Sequence, residues 1–285
     1  MIADPAPFLS CCVSVDLEIH PKSARLFAFA AVHGDASIRH NGGALDPALD
    51  RLEVFCEKAE HIIGHNILRH DIPHLVANRA RLAVLAAAPV DTLWLNPLAF
   101  PRNPYHHLVK HYRDGRLQAG HINDPEKDAN ARLALQLLAD QISAFAKLAQ
   151  QAPDALLAYH YLTSRGEGSV GFDALFRHLR GPAPDFPAAH AAIRRLLMGV
   201  ACSHRLEQTL GRLSDERIGW PMAYALSGIP ERHDALERVR MGDAAILLIS
   251  PKQLRSPSIR SALQQREVSL WVLDEAHCVS KLCLA

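Results

Sequence analysis

The period of apolar and polar positions changes several times along the chain. Cys11-Cys-Val-Ser-Val-Asp16 is a short apolar, β-rich run, and Leu26-Phe-Ala-Phe-Ala-Ala-Val-His33 is a second. The polar turn beginning His20-Pro-Lys-Ser between them predicts a hairpin. After a Gly-Gly breaker, Leu45, Leu49, Leu52, Phe55 and Cys56 recur at helical spacing, which predicts a helix over 45–59. His61-Ile-Ile-Gly64 reads as a short strand and 71–80 as a helix. Val90–Leu95 reads as another strand, followed by a Pro-rich loop from Asn96 to Pro104. A long helix is expected over 128–150, with Leu133, Leu137, Leu138, Ile142 and Phe145 on its apolar side. Strands first and helices interleaved afterwards predict an α/β sheet domain over residues 1–150.

Residues 151–217 look mainly helical, a connector punctuated by Pro182-Ala-Pro-Asp-Phe-Pro187. Beyond it, Ala244–Ile249 and Val268–Leu273 are apolar throughout, as buried parallel strands are. They mark a third segment, 218–285.

Composition narrows the partners. The chain has 285 residues, and 31 Lys+Arg against 30 Asp+Glu leave no global basic field to draw it onto nucleic acid or membrane. Contact with phosphates must come from a local patch or from metal ions. No apolar run approaches about 20 residues, so no membrane span is expected. Asp4 precedes any apolar stretch, unlike a signal peptide. Six cysteines are scattered without a C-x-x-C pair, which argues against a zinc ribbon or a disulfide framework and fits a reducing cytoplasm. His107 and His111 stand one helical turn apart, but without a third soft ligand nearby a basic helix face with Lys110 and Arg113 is the better reading.

Four acids carry the chemistry. Asp16 and Glu18 end the first strand and, two apart on extended backbone, share a face. Asp71 and Asp128 each stand where a helix is expected to begin. Acids at strand ends and helix starts can converge at one edge of a sheet. Convergence is costly unless cations neutralise it, and hard oxygen ligands suit Mg²⁺ or Mn²⁺. Any one Asp at a helix start is ordinarily a cap.

Three segments in order, Val13-Ser-Val-Asp-Leu-Glu18, Ile63-Gly-His-Asn-Ile-Leu-Arg-His-Asp71 and Asn123-Asp-Pro-Glu-Lys-Asp128, resemble the three motifs of the DnaQ-like, DEDD-type 3′–5′ exonucleases. The resemblance covers about residues 10–150 and implies an RNase H-like sheet. It implies that Asp16, Glu18, Asp71 and Asp128 hold two divalent cations, and that His65 and Asn66 help hold substrate or the local backbone. One position departs from the pattern. Where one branch of the family has a general-base His, five residues before the last Asp, this chain has Asn123, and an amide does not take a proton from water. His121, two residues earlier, is the candidate base.

The third segment has a resemblance of its own. Ile246-Leu-Leu-Ile-Ser-Pro-Lys-Gln-Leu-Arg255 and Leu273-Asp-Glu-Ala-His-Cys-Val-Ser-Lys281 are similar to the first, RecA-like motor domain of RecQ-type superfamily 2 DNA helicases. That resemblance covers about 218–281 and implies that Asp274 and Glu275 hold the Mg²⁺ of a nucleotide. The phosphate-cradling G-x-x-x-x-G-K-[ST] loop occurs nowhere in the chain, so ATP binding and helicase activity are not expected. The expectation is a divalent-metal-dependent 3′–5′ exonuclease carrying a partial helicase-like segment and acting on nucleic acid, DNA by the second resemblance. The alternative is a nucleic-acid-binding module or an inactive fragment of an exonuclease–helicase fusion.

Overall fold

The computed structural model describes residues 4–20, 22–23, 25–103, 106–108, 112–113, 116–117, 129–166, 168–198, 203–229, 237–241 and 257–265. The chain is α/β, built on a mixed five-stranded sheet in the order β3-β2-β1-β4-β5. After a short helix α1 (Ala6–Leu9), β1 (Cys12–Ile19) and β2 (Leu26–His33) form the expected antiparallel hairpin. β3 (Ala36–Asn41) adds an antiparallel edge strand that the apolar pattern did not announce. Its burial explains why: only His40 is buried, and the remaining side chains are exposed or half-exposed. α2 (Leu45–Cys56) then leads to β4 (His61–Gly64), which pairs parallel with β1, and α3 (Asp71–Asn78) leads to β5 (Ala88–Asp91), parallel with β4.

Alternation along the strands sends apolar side chains to both faces. Val13, Val15, Leu17 and Ile62 join Leu49, Leu52 and Leu75 of α2 and α3 on one face. Cys12, Ile63 and Val90 join the other core, with Leu138, Ile142 and Phe145 of α5 (Ala129–Gln151). The helices that follow pack into this second core rather than beside it: α6 (Pro153–Thr163), α7 (Ser169–Arg180), α8 (Phe186–Leu197), α9 (Ser203–Leu210) and α10 (Gly219–Ser227) supply Leu156, Phe172, Ile193, Leu206 and Leu226.

Three expectations need correction. Val90–Leu95 is not a strand, because β5 ends at Asp91 and Thr92–Ala99 is a helix, α4. The Asp91 carboxylate caps that helix by accepting from the Leu93 backbone N–H, which ends the extended run before its apolar residues do. The expected loop from Asn96 is therefore helical through Ala99, with Pro97 inside. Likewise Arg113 lies on β6 (Tyr112–Arg113), paired antiparallel with β7 (Arg116–Leu117), not on a helix face. The apolar runs 244–249 and 268–273, and with them Asp274 and Glu275, lie outside the described residues. No described helix is long and apolar enough to cross a membrane.

α7 crosses β5 at a glycine. A Cβ on Gly171 would stand 2.0 Å from the Pro89 carbonyl oxygen, so only glycine permits this approach. Gly171→Ala is expected to cost about 3 kcal/mol of folding stability, read by chemical denaturation, whereas Gly211→Ala, whose nearest neighbour would be 3.4 Å away, changes it little.

Candidate active site

β1 is longer than its parallel neighbour. Its pairing with β4 runs over Cys12–Ser14, and β4 ends at Gly64, so Asp16, Leu17 and Glu18 project past the end of β4. The Leu17 N–H therefore needs another acceptor, and the Asp71 carboxylate at the start of α3 takes it, Oδ1 lying 3.2 Å away. That bond places a buried carboxylate beside the end of β1. Asp16 faces the α5 side of the sheet, where the Asn130 amide donates to its Oδ2 at 3.3 Å. Glu18, next on the same face, is exposed.

The electrostatics follow from this crowding. Burial raises the Asp16 carboxyl to about 7, with the Asp71 and Glu18 charges adding to the rise and the Asn130 amide opposing it. Asp71 is pushed up by burial as well, against the pull of the His70 imidazole and the Leu17 N–H. His70 Nδ1 lies 3.5 Å from Asp71 Oδ1. A buried acid and a half-buried one thus share one small region and resist carrying two charges together.

The loop from β4 to α3 holds the histidine and asparagine of the second motif. Asn66 adopts φ 77°, in the left-handed region that asparagine tolerates better than most residues. This turn aims the Asn66 and Leu68 N–H groups at the Asp91 carboxylate, 2.9 and 3.1 Å away. Asp91 is fully buried and accepts also from Leu93. Burial raises its carboxyl, and these backbone donors pull it back. Thr92 Oγ1 donates to the Gly64 carbonyl at 3.2 Å, so His65 Nδ1, 3.0 Å from the same hydroxyl, is the donor to it. His65 and Asn66 are thereby tied into the loop through a ring atom and a backbone N–H.

Of the residues singled out from sequence, Asp16 and Asp71 come together, Glu18 stands next to them, and His65 and Asn66 form the adjoining loop. Asp128, Asn123 and His121 lie outside the described residues. Among the described residues, no group of three or more His, Cys, Asp or Glu side chains closes on one point as a metal site. His106 Nδ1 lies 3.0 Å from the side-chain amide of Asn96 on α4, whose Oδ1 accepts from the Gln141 amide of α5. Asp91 was missed by sequence reasoning, although an acid at the end of an apolar run and just before Thr is a cap signal. No protein-family model, curated protein or solved structure matches the chain.

Two outcomes follow. In cation-free protein Asp16 keeps its proton in the folded state over a window, about pH 4 to 7, in which the unfolded chain releases it. Stability therefore falls as pH rises through that window. Asp16→Asn removes the penalty, so its gain is absent at pH 4 and reaches on the order of 2–4 kcal/mol by pH 8, measured as unfolding free energy in EDTA. Asp91→Ala strands at least three half-buried backbone donors and is expected to cost about 3 kcal/mol at every pH, by the same measurement.

Proposed function

We propose that the chain is a divalent-cation-dependent 3′–5′ exonuclease with an RNase H-like core, hydrolysing nucleic acid from a 3′ end. The observation that carries the reading is the meeting of Asp16 and Asp71 beyond the end of β4, at the edge where the DEDD resemblance requires its acids to gather. The mixed sheet with β1 at its centre supports the same reading. Aligned strand ends and the start of α3 bring the acids together for no packing gain; burial makes both costly as anions.

The donors fit the implied ions. Asp16, Asp71 and Glu18 offer hard carboxylate oxygens, which suit Mg²⁺ or Mn²⁺ and not the softer ions that sulfur selects. With Asp128 they would make the four-acid set of the resemblance, and Asp128 precedes by two residues the Asn130 that donates to Asp16. Held there, two such ions would lower the pKa of a bound water and stabilise the departing oxygen of a phosphodiester. The chain's own residues do the rest. Asp71, fixed by the Leu17 N–H, and Asp16, fixed by Asn130, hold their oxygens toward one region. The loop locked by Asp91 sets where α3 begins. His121 is the residue proposed to accept the proton of the attacking water as its oxygen bonds to phosphorus and the bond to the 3′-oxygen breaks. A DNA substrate is favoured by the helicase-like sequence over 218–281. In that segment Asp274 and Glu275 are proposed only as a relic of a nucleotide site.

The test is a 5′-labelled single-stranded DNA incubated with Mg²⁺, Mn²⁺ or EDTA. A ladder shortening from the 3′ end is expected with either ion and not with EDTA. The Asp16→Ala, Glu18→Ala protein should be slower by about 1,000-fold, and His121→Ala by about 100-fold. Absence of a ladder from folded wild-type protein would overturn the proposal.

A further inference from the structure

Beside the acidic site stands an arginine that no acid among the described residues answers. Arg69 lies in the loop between Asn66 and Asp71, its side chain exposed, and it forms no ion pair among the described residues. Its guanidinium rests over the indole of Trp94, Cζ 5.2 Å from the ring centroid. That indole is held in turn. Trp220 meets it edge-on at 5.0 Å, Phe172 runs parallel at 6.5 Å, and the Tyr224 hydroxyl donates to the Trp94 carbonyl at 3.1 Å. Asp91 binds the backbone of Leu68 on one side and of Leu93 on the other, so the residues preceding Arg69 and Trp94 hang from one carboxylate.

Arginine on a protein surface ordinarily sweeps a wide volume, and ordering it costs up to about 2 kcal/mol of side-chain entropy. Here the aromatic seat has restricted it in advance, while its five N–H donors remain available to an oxyanion. In this fold Trp94 follows β5 and Asp16 lies on β1, with β4 between the two strands, so about 10 Å of sheet separates them. That span is on the order of one to two nucleotides of an extended strand. Arg69 itself precedes Asp71 by two residues, and a cation beside acidic residues counters the repulsion that they impose on a polyanion.

We infer that Arg69, seated on Trp94, is a backbone-phosphate anchor for the single strand whose 3′ end enters the Asp16–Asp71 site. The inference rests on the exonuclease reading for the direction of the strand. It assigns the anchor to a phosphate and not to a base, so its effect is independent of sequence.

Fluorescence anisotropy of a labelled single-stranded oligonucleotide, with Ca²⁺ in place of Mg²⁺, tests it across a salt series, alongside steady-state cleavage in Mg²⁺. Arg69→Ala is expected to weaken binding and raise KM about tenfold, with kcat within about threefold, and to lower the slope of log affinity against log salt by about 0.7. Arg69→Lys should retain the slope and recover part of the affinity, since an ammonium keeps the charge without the fork. Equal affinity and slope for Arg69→Ala and wild type, or a loss confined to kcat, would overturn the anchor and leave the exonuclease standing. Binding that depends on Arg69 without cleavage by wild type would uphold the anchor and overturn the exonuclease. No binding by wild type would overturn both.

Discussion

The carboxylate of Asp91 fixes the geometry around which the rest is arranged. Buried at the end of β5, it accepts backbone N–H groups from Asn66 and Leu68 in one loop and from Leu93 in the next helix. A loop carrying several inward-facing N–H groups cannot be buried without an acceptor for them. One side chain meets that requirement for two consecutive connections of the sheet. Because the first of these connections ends at Asp71, the position of a candidate ligand depends on a residue at the end of another strand.

The second constraint is electrostatic and opposes the first. Asp16 and Asp71 are held close enough that each makes the other's charge harder to bear, in surroundings that already disfavour charge. A fold selected only for stability has no use for that pairing. The Leu17 N–H and the Asn130 amide soften it without removing it. What remains is a region that binds protons near neutrality; on the proposed reading, binding of a divalent ion there would release them.

Much of this was legible in the residues and some was not. The hairpin of β1 and β2 and the helices after Gly43 and at Asp71 announced themselves by period, because one apolar face per element suffices to define them. β3 did not, since its only buried side chain is His40 and a polar strand paired through its backbone leaves no apolar trace. Val90–Leu95 misled for the opposite reason: its apolar residues continue through a change from strand to helix that the Asp91 cap dictates. Within the site, the pairing of Asp16 with Asp71 could be read from motif order, whereas the seating of Arg69 on Trp94 joins two elements whose contact no local pattern encodes.

The contact of α7 with β5 at Gly171 has a mechanical meaning. Where a carbonyl oxygen sits in the space that a side chain would fill, helix and strand have no slack between them, and they move as one lever. Asp91 is the next residue but one after Pro89, at the end of that lever. A displacement of α7 is thus passed to the strand end from which the loop is suspended. Pushing on α7 and adjusting the Asn66 turn become the same motion.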